Sequence, residues 1–223
     1  MEKIYIVIPA FNEEKTIARV IDDILIANEN FQIIIVDDAS TDNTVEIAAK
    51  RGVKVLRHLI NRGQGAALKT GTKYAIMKAA DIIVHFDADA QFQANEINDL
   101  IKPILKSETD IVFGSRFLEK KSDIPSFKKN FILPVARLFN QIFFGIKLTD
   151  PQSGLRAFRA SAMKDIDWQQ DKMAHCSEIL HNAHKNNLKI KEVPITVVYY
   201  DFGQKFSGGF AIIKDIIFGK FLK

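Results

Sequence analysis

Short runs of Ile and Val alternate along the first half of the chain with longer stretches whose apolar residues recur three and four apart. The runs are Ile4 to Ile8, Gln32 to Val36, Val53 to Leu56, Ile82 to Phe86 and Ile111 to Phe113. Each has the length and the β-branched character of a buried strand. Between the first two, Ile17, Val20, Ile21, Ile24 and Leu25 trace one face of a helix. The β-α-β-α order predicts an α/β fold, a mostly parallel sheet with helices on both faces.

Beyond Phe113 the regularity weakens. Residues 118–130 read as a charged loop broken at Pro125, and residues 131–146 as a Phe-rich amphipathic helix interrupted near Pro134. A short strand (Leu155 to Phe158), a helix (Ala174 to Asn186), an alternating strand (Ile190 to Val198) and an apolar helix (Gly209 to Leu222) complete the expected order. No linker or repeat divides the chain. The expected organisation is one domain over residues 1–200 with an amphipathic C-terminal tail over 201–223.

The polar residues that end the strands set the chemistry. Strand one runs into Pro9-Ala-Phe-Asn-Glu13, strand two into Asp37-Asp-Ala-Ser-Thr-Asp42, strand three into Asn61-Arg-Gly-Gln-Gly65 and strand four into Asp87-Ala-Asp-Ala-Gln91. Parallel strands bring all four ends to one sheet edge, where open α/β folds bind ligands. Two carboxylates at i and i+2, Asp87 and Asp89, can reach one hard cation such as Mg²⁺ or Mn²⁺, with Gln91 as a further oxygen. An isolated D-x-D is more often a solvated turn, and it is the company of three other polar ends that favours a site. Asp42 reads as a cap for the helix from Asn43 to Lys50, and Asp38 as a cap or as a partner for a nucleobase or ribose. Asn12, Glu13 and Glu14 read as a helix start. Asn61 to Gly65 lacks the third glycine of the dinucleotide fingerprint, since Leu68 stands there, and reads instead as a glycine-permitted approach to a ligand at a helix N-terminus.

Composition narrows the partners. The net charge of +4 suits a diphosphate, a lipid phosphate or an anionic membrane surface and is too mild for nucleic acid. A single cysteine, Cys176, excludes an internal disulfide and fits a reducing compartment. With no cleavable-signal pattern and no apolar run of transmembrane length, the expected location is cytoplasmic.

In order along the chain, Ile-Val-Ile-Pro-Ala-Phe-Asn-Glu-Glu (6–14), Val-Asp-Asp-Ala-Ser-Thr-Asp (36–42), Asn-Arg-Gly-Gln-Gly (61–65) and Asp-Ala-Asp-Ala-Gln (87–91) resemble the family 2 glycosyltransferases of GT-A fold. Gly114-Ser-Arg116, Asp150-Pro-Gln-Ser-Gly-Leu-Arg156 and Glu192-Val-Pro-Ile195 resemble the dolichyl- and polyprenyl-phosphate sugar synthase branch. The resemblance spans roughly residues 4 to 200. It implies an inverting transfer from a UDP- or GDP-sugar. Pro9, Ala10, Phe11, Glu13, Val36, Asp38, Asn61, Gly65, Asp87 and Ala88 would then contact the nucleotide-sugar, and Asp87, Asp89 and Gln91 would organise the metal and diphosphate. Arg116, Ser153 and Arg156 would lie near the donor phosphates or the acceptor. Without the resemblance, Arg116 and Arg156 read as solvent-facing charges. One departure stands out. Relatives often carry an Arg about five residues after the proline of Val-Pro-Ile, where this chain has Tyr199 and Tyr200, and Lys205 is the substitute, without the bidentate fork of Arg.

Two acceptors are open. A lipid phosphate is already a nucleophile near neutrality and needs no base, its second pKa being about 6. A saccharide hydroxyl needs a carboxylate base, for which Glu178 is the candidate, against an equally weighted reading as a structural ion pair. His175, His181 and His184 read as solvated helix positions. The segments 131–146 and 209–222, with Lys128, Lys129, Lys147, Lys214, Lys220 and Lys223 around Phe206, Phe210, Ile213, Ile217 and Phe221, favour a lipid and peripheral attachment to the inner membrane face; packing on the core or in a homo-oligomer is the alternative. A nucleotidyltransferase would carry a glycine-rich basic loop where Pro9 to Glu14 stands. A non-catalytic nucleotide-sugar-binding protein is the remaining rival, disfavoured by the intact D-x-D.

Overall fold

The computed structural model describes residues 2–118 and 148–198. The amphipathic segments 131–146 and 201–223, and with them Tyr199, Tyr200 and Lys205, lie outside the described residues.

Seven strands form one sheet in the order β3-β2-β1-β4-β6-β5-β7. They are β1 (Ile4–Ala10), β2 (Gln32–Asp37), β3 (Lys54–Arg57), β4 (Ile82–His85), β5 (Ile111–Ser115), β6 (Arg156–Arg159) and β7 (Ile190–Pro194). Helices α1 (Ile17–Ala27), α2 (Thr44–Ala49), α3 (Gln64–Met77), α4 (Ile97–Leu105) and α5 (His175–Lys185) connect and cover them. The alternation within each strand decides which helix covers which face. Ile6, Ile8, Ile33, Ile35, Val84 and Val112 pack with Ile17, Ile21 and Ile24 of α1 and Leu100 and Ile104 of α4. Val7, Ile34, Ile83, Ile111 and Phe113 pack on the other face with Ala67 and Leu68 of α3 and Ile179 and Leu180 of α5. Each such fully buried aliphatic side chain contributes roughly 1.5–3 kcal/mol.

Helix α3 lies close on β1 and β2 because Gly71 faces them: a β-carbon there would sit 2.3 Å from Val7 Cγ1. The expected strand 155–158 is present one residue later, but it runs antiparallel between β4 and β5, with His85 opposite Arg156 and Phe113 opposite the same residue. The sheet is therefore mixed. Because β4 and β5 each oppose β6, they run parallel to each other, and β7 is parallel to β5. The six parallel strands end on one edge, and the segment entering β6 reaches that same edge.

Candidate active site

The first two strand ends are stitched together before any ligand is considered. Asn12, at φ 57°, donates its N–H to Ser40 Oγ (2.9 Å) and accepts the Thr41 N–H on Oδ1 (2.9 Å). Glu13 N–H reaches Thr44 Oγ1 at 2.8 Å, and Asp42 accepts the Thr44 N–H at 3.0 Å, the capping role expected of it. Asp37 is fully buried and pairs with Arg57 across the β2–β3 register.

Asp87 and Asp89 leave β4 at the centre of this edge, with Ala90 at φ 60° turning the chain. Gln64, the first residue of α3, donates from Nε2 to Asp87 Oδ1 at 2.8 Å. Asp89 Oδ1 accepts the Gln91 N–H at 3.0 Å. Burial, then the charge of Asp89, raises the Asp87 pKa to about 7 against the pull of Arg156. Burial also raises Asp89. Glu13 is raised by burial too, offset by the Thr16 hydroxyl and reinforced by Asp89 and then Asp42, so the first strand end faces the D-x-D. Negative charge thus accumulates in one cleft without enough compensation.

On the other side of Asp87 stands the turn that enters β6. Asp150, 1% exposed, accepts Arg116 Nε (2.6 Å), Arg116 Nη2 (2.7 Å) and the Arg116 N–H (3.2 Å). Arg116 follows β5 on the same edge, with 22% of its side chain exposed. It is not a loose surface charge. Ser153 is buried, and its carbonyl accepts Arg156 Nε at 2.6 Å.

Beneath the D-x-D lies a buried polar cluster that the sequence did not announce. Arg156 is 1% exposed, so it does not face solvent. Its Nη2 donates to Cys176 Sγ at 2.7 Å and its guanidinium lies 5.7 Å from the Phe113 ring centre. Burial pushes the Cys176 thiol up, but Arg156 and His175 pull it down to about 6. His85, fully buried, sits well below its usual value through burial and the charges of Arg156 and His175, and shares a hydrogen bond with Thr72 Oγ1 at 2.9 Å. His175 was read as solvated and is instead 0% exposed, while His181 and His184 are exposed.

Several expected nucleotide contacts have internal duties. Asp38, 4% exposed, accepts the Arg62 N–H (2.9 Å), the Gly63 N–H (2.6 Å) and a short bond with His58 Nδ1 (2.7 Å), holding the loop that starts α3. Val36, Ala10 and Ala88 are core residues. Gly65 is approached closely by protein: a β-carbon there would fall 2.4 Å from the Gln170 carbonyl oxygen. The Ala66 N–H meets the Asp171 carbonyl at 3.0 Å, and Trp168 Nε1 donates to the Gly65 carbonyl at 3.0 Å. Phe11, 47% exposed, Pro9, partly buried, and Asn61, exposed, remain at the rim. Glu178 spends Oε2 on the N–H groups of Gln169 and Gln170, both at 2.9 Å. Gln64, Gly154, Asp150 and Glu192 are the site residues that reading missed; each lay inside a quoted motif, but nothing local showed its partner.

Residues 5–167 match the sequence family described as glycosyl transferase family 2. This chain is a family 2 glycosyltransferase. Its relatives include a UDP-N-acetylglucosamine–dolichyl-phosphate N-acetylglucosaminyltransferase from Methanococcus voltae, 38% identical over 89% of this chain and 87% of its own. An undecaprenyl-phosphate mannosyltransferase from Micrococcus luteus is 28% identical over 93% of this chain and 88% of its own. Among solved structures, glucosyl-3-phosphoglycerate synthase from Mycobacterium tuberculosis, in complex with Mn²⁺, UDP-glucose and phosphoglyceric acid, matches with a TM-score of 0.76 at 20% identity, over 97% of this chain and 77% of that one. That likeness is one of fold, and the glycosyltransferase has the GT-A architecture.

The residues present fit a divalent ion. Among the described residues no three His, Cys, Asp or Glu side chains converge on a metal position. Two carboxylates of raised proton affinity, partly exposed on the strand-end edge, are oxygen donors of the kind that Mg²⁺ or Mn²⁺ takes.

Proposed function

We propose that this glycosyltransferase moves a sugar, with inversion, from a UDP- or GDP-sugar to a polyprenyl phosphate at the cytoplasmic face of a membrane. The observation that carries the reading is the charge arrangement on one sheet edge: Asp87 and Asp89, both raised in pKa, on the edge that also carries the clamped Arg116. Asp87 and Asp89, with Gln91 nearby, would hold a divalent cation, which when bound would supply positive charge to the diphosphate; that leaving group departs with the electron pair of the broken C1–O bond. The chain's own groups do the rest. Gln64 holds Asp87 in place, the stitched loops 9–14 and 37–44 frame the nucleoside with Phe11 at the rim, and Arg116 offers positive charge to phosphate oxygen.

The acceptor reading draws on the relatives' acceptors and on the state of Glu178. A phosphate oxygen forms the new bond to C1 without giving up a proton, so no base is required. Glu178, occupied by two backbone N–H groups, suits a structural role beside such a reaction. No helix among the described residues is long and apolar enough to cross a membrane, and the proposed attachment is peripheral.

Full-length enzyme is assayed with UDP- and GDP-sugars, a short polyprenyl phosphate and Mn²⁺, with the lipid-linked sugar quantified by mass spectrometry. Asp89→Ala lowers turnover by roughly 100-fold or more, the scale of a lost metal contribution. Wild-type turnover in that variant removes the metal from the reading. Transfer to saccharide hydroxyls alone, abolished by Glu178→Gln, replaces the acceptor.

A further inference from the structure

We infer that Asp150 and Glu192 are positioning residues for Arg116, a two-carboxylate relay that presents its guanidinium at a fixed place on the cleft edge; this rests on the reading that Arg116 meets the phosphate of the acceptor.

The relay is continuous. Asp150 grips Arg116 at three atoms: Nε at 2.6 Å, Nη2 at 2.7 Å and the backbone N–H at 3.2 Å. The first two bonds form a bidentate fork, which fixes the guanidinium plane as well as its position. The third ties the main chain to the same carboxylate, so the side chain and its root cannot move independently. Asp150 is buried at 1% while the Arg116 side chain keeps 22% exposure, so the carboxylate is the buried anchor of the pair and the guanidinium its partly exposed member.

Asp150 is held in turn by Glu192. The Glu192 carboxylate accepts the Thr149 N–H (2.8 and 2.9 Å to its two oxygens), the Thr149 hydroxyl (2.9 Å) and the Asp150 N–H (2.8 Å). Three donors converge on one acceptor group 42 and 43 residues away in sequence. Ser115, fully buried at the end of β5, shares a hydroxyl–hydroxyl bond with Thr149 and closes the circuit on the strand that carries Arg116. Glu192 itself sits on β7 in register with Phe113 of β5. Arg116 and Glu192 therefore hang from adjacent strands, and the turn 149–150 is clamped between them.

Carboxylates are needed at both places. An amide at 150 offers one acceptor oxygen to a fork that asks for two, and turns N–H donors toward a guanidinium. At 192 one oxygen, Oε1, already accepts from all three donors and Oε2 shares the Thr149 N–H; an amide removes the charge that strengthens these bonds and turns an NH₂ toward the Thr149 N–H. Catalysis that depends on a placed cation suffers from a displacement of an ångström.

The test is a coupling measurement on the full chain, with citronellyl phosphate as the probe acceptor. Glu192→Gln and Asp150→Asn each raise the acceptor KM or lower turnover about tenfold or more, while the donor KM stays within about twofold. Combined with Arg116→Ala, neither adds a further loss, because both act through Arg116. Losses that multiply in the double variants, or a donor KM that moves as far as the acceptor KM, overturn the inference. Arginine-selective ¹⁵N spectra give a reading independent of turnover: the Arg116 Nε–H is protected from exchange in wild type and loses protection in Glu192→Gln. Unchanged protection there overturns it as well. If Glu192→Gln does not fold, Thr149→Val removes one of the three donors and takes its place in the same cycle. Should the enzyme use a saccharide acceptor instead, the acceptor reading fails, and the coupling between positions 192 and 116 measured on that substrate still decides this inference.

Discussion

Gly154 presses its Cα against the carboxylate of Asp87, so closely that a β-carbon there would lie 2.2 Å from Asp87 Oδ2. The turn into β6 thus packs against the Asp87 carboxylate, whose Oδ1 also accepts Gln64 Nε2.

Gly154→Ala therefore displaces Asp87 while leaving the core layers untouched. The expected loss in kcat/KM is about 100-fold, the cost of roughly an ångström of misplacement at a reacting centre. Mn²⁺ titration of the same variant shows weakened binding. An alanine variant that binds Mn²⁺ and turns over like wild type removes this wall from the site.

Asp87, raised to about 7 by burial and by Asp89, must lose a proton to hold a cation. Mn²⁺ affinity therefore climbs as pH rises to about 7 and levels off above it. Without metal the sign reverses. The folded state binds this proton more tightly than the unfolded chain, so stability falls as pH rises from the ordinary carboxylate value of 3.8 through about 7. Calorimetric Mn²⁺ titrations and melting in chelator check the two slopes; a flat affinity across that range contradicts the assignment.

Cys176→Ala leaves a buried guanidinium nitrogen of Arg156 without its acceptor and costs about 3 kcal/mol. The thiol is lowered from 9.0 to about 6, so its contribution to stability is fully present above pH 9 and is lost as pH falls through about 6. The gap in melting temperature between wild type and variant is widest at alkaline pH and narrows toward pH 6. A gap that does not change with pH shows that the sulfur is not held as a thiolate.

Gly65→Ala pushes a methyl group into the Gln170 carbonyl and destabilises the fold by roughly 1–3 kcal/mol. Thermal melting detects it. An unchanged melting temperature combined with a raised donor KM returns this glycine to the ligand side of the loop.

Much of this site is legible in the sequence. The strand ends at Pro9, Asp37, Asn61 and Asp87 share one edge as parallel pairing requires, and the Asp42 cap lies where local chemistry puts it. Illegible were the contacts that arrive from far along the chain. Asp38 reads locally as a cap or a nucleoside partner, while the N–H groups of Arg62 and Gly63 that its carboxylate also accepts are 24 and 25 residues away. Arg156 looked solvent-facing because one arginine in a four-residue strand carries no mark of burial, and only the insertion of β6 between β4 and β5 covers it.

By itself the sequence determined the alternation of strands and helices, the edge on which chemistry collects and the D-x-D that anchors it. Side-chain period and short-range capping act within a few residues, so they are written locally. Tertiary structure alone decided where each carboxylate stands: Asp87 and Asp89 stay partly exposed on the strand-end edge, Asp38 pins a loop, and Asp150 backed by Glu192 holds Arg116. That choice depends on which donors the fold carries to each oxygen and on how much water it excludes, and neither is set by neighbours in the chain.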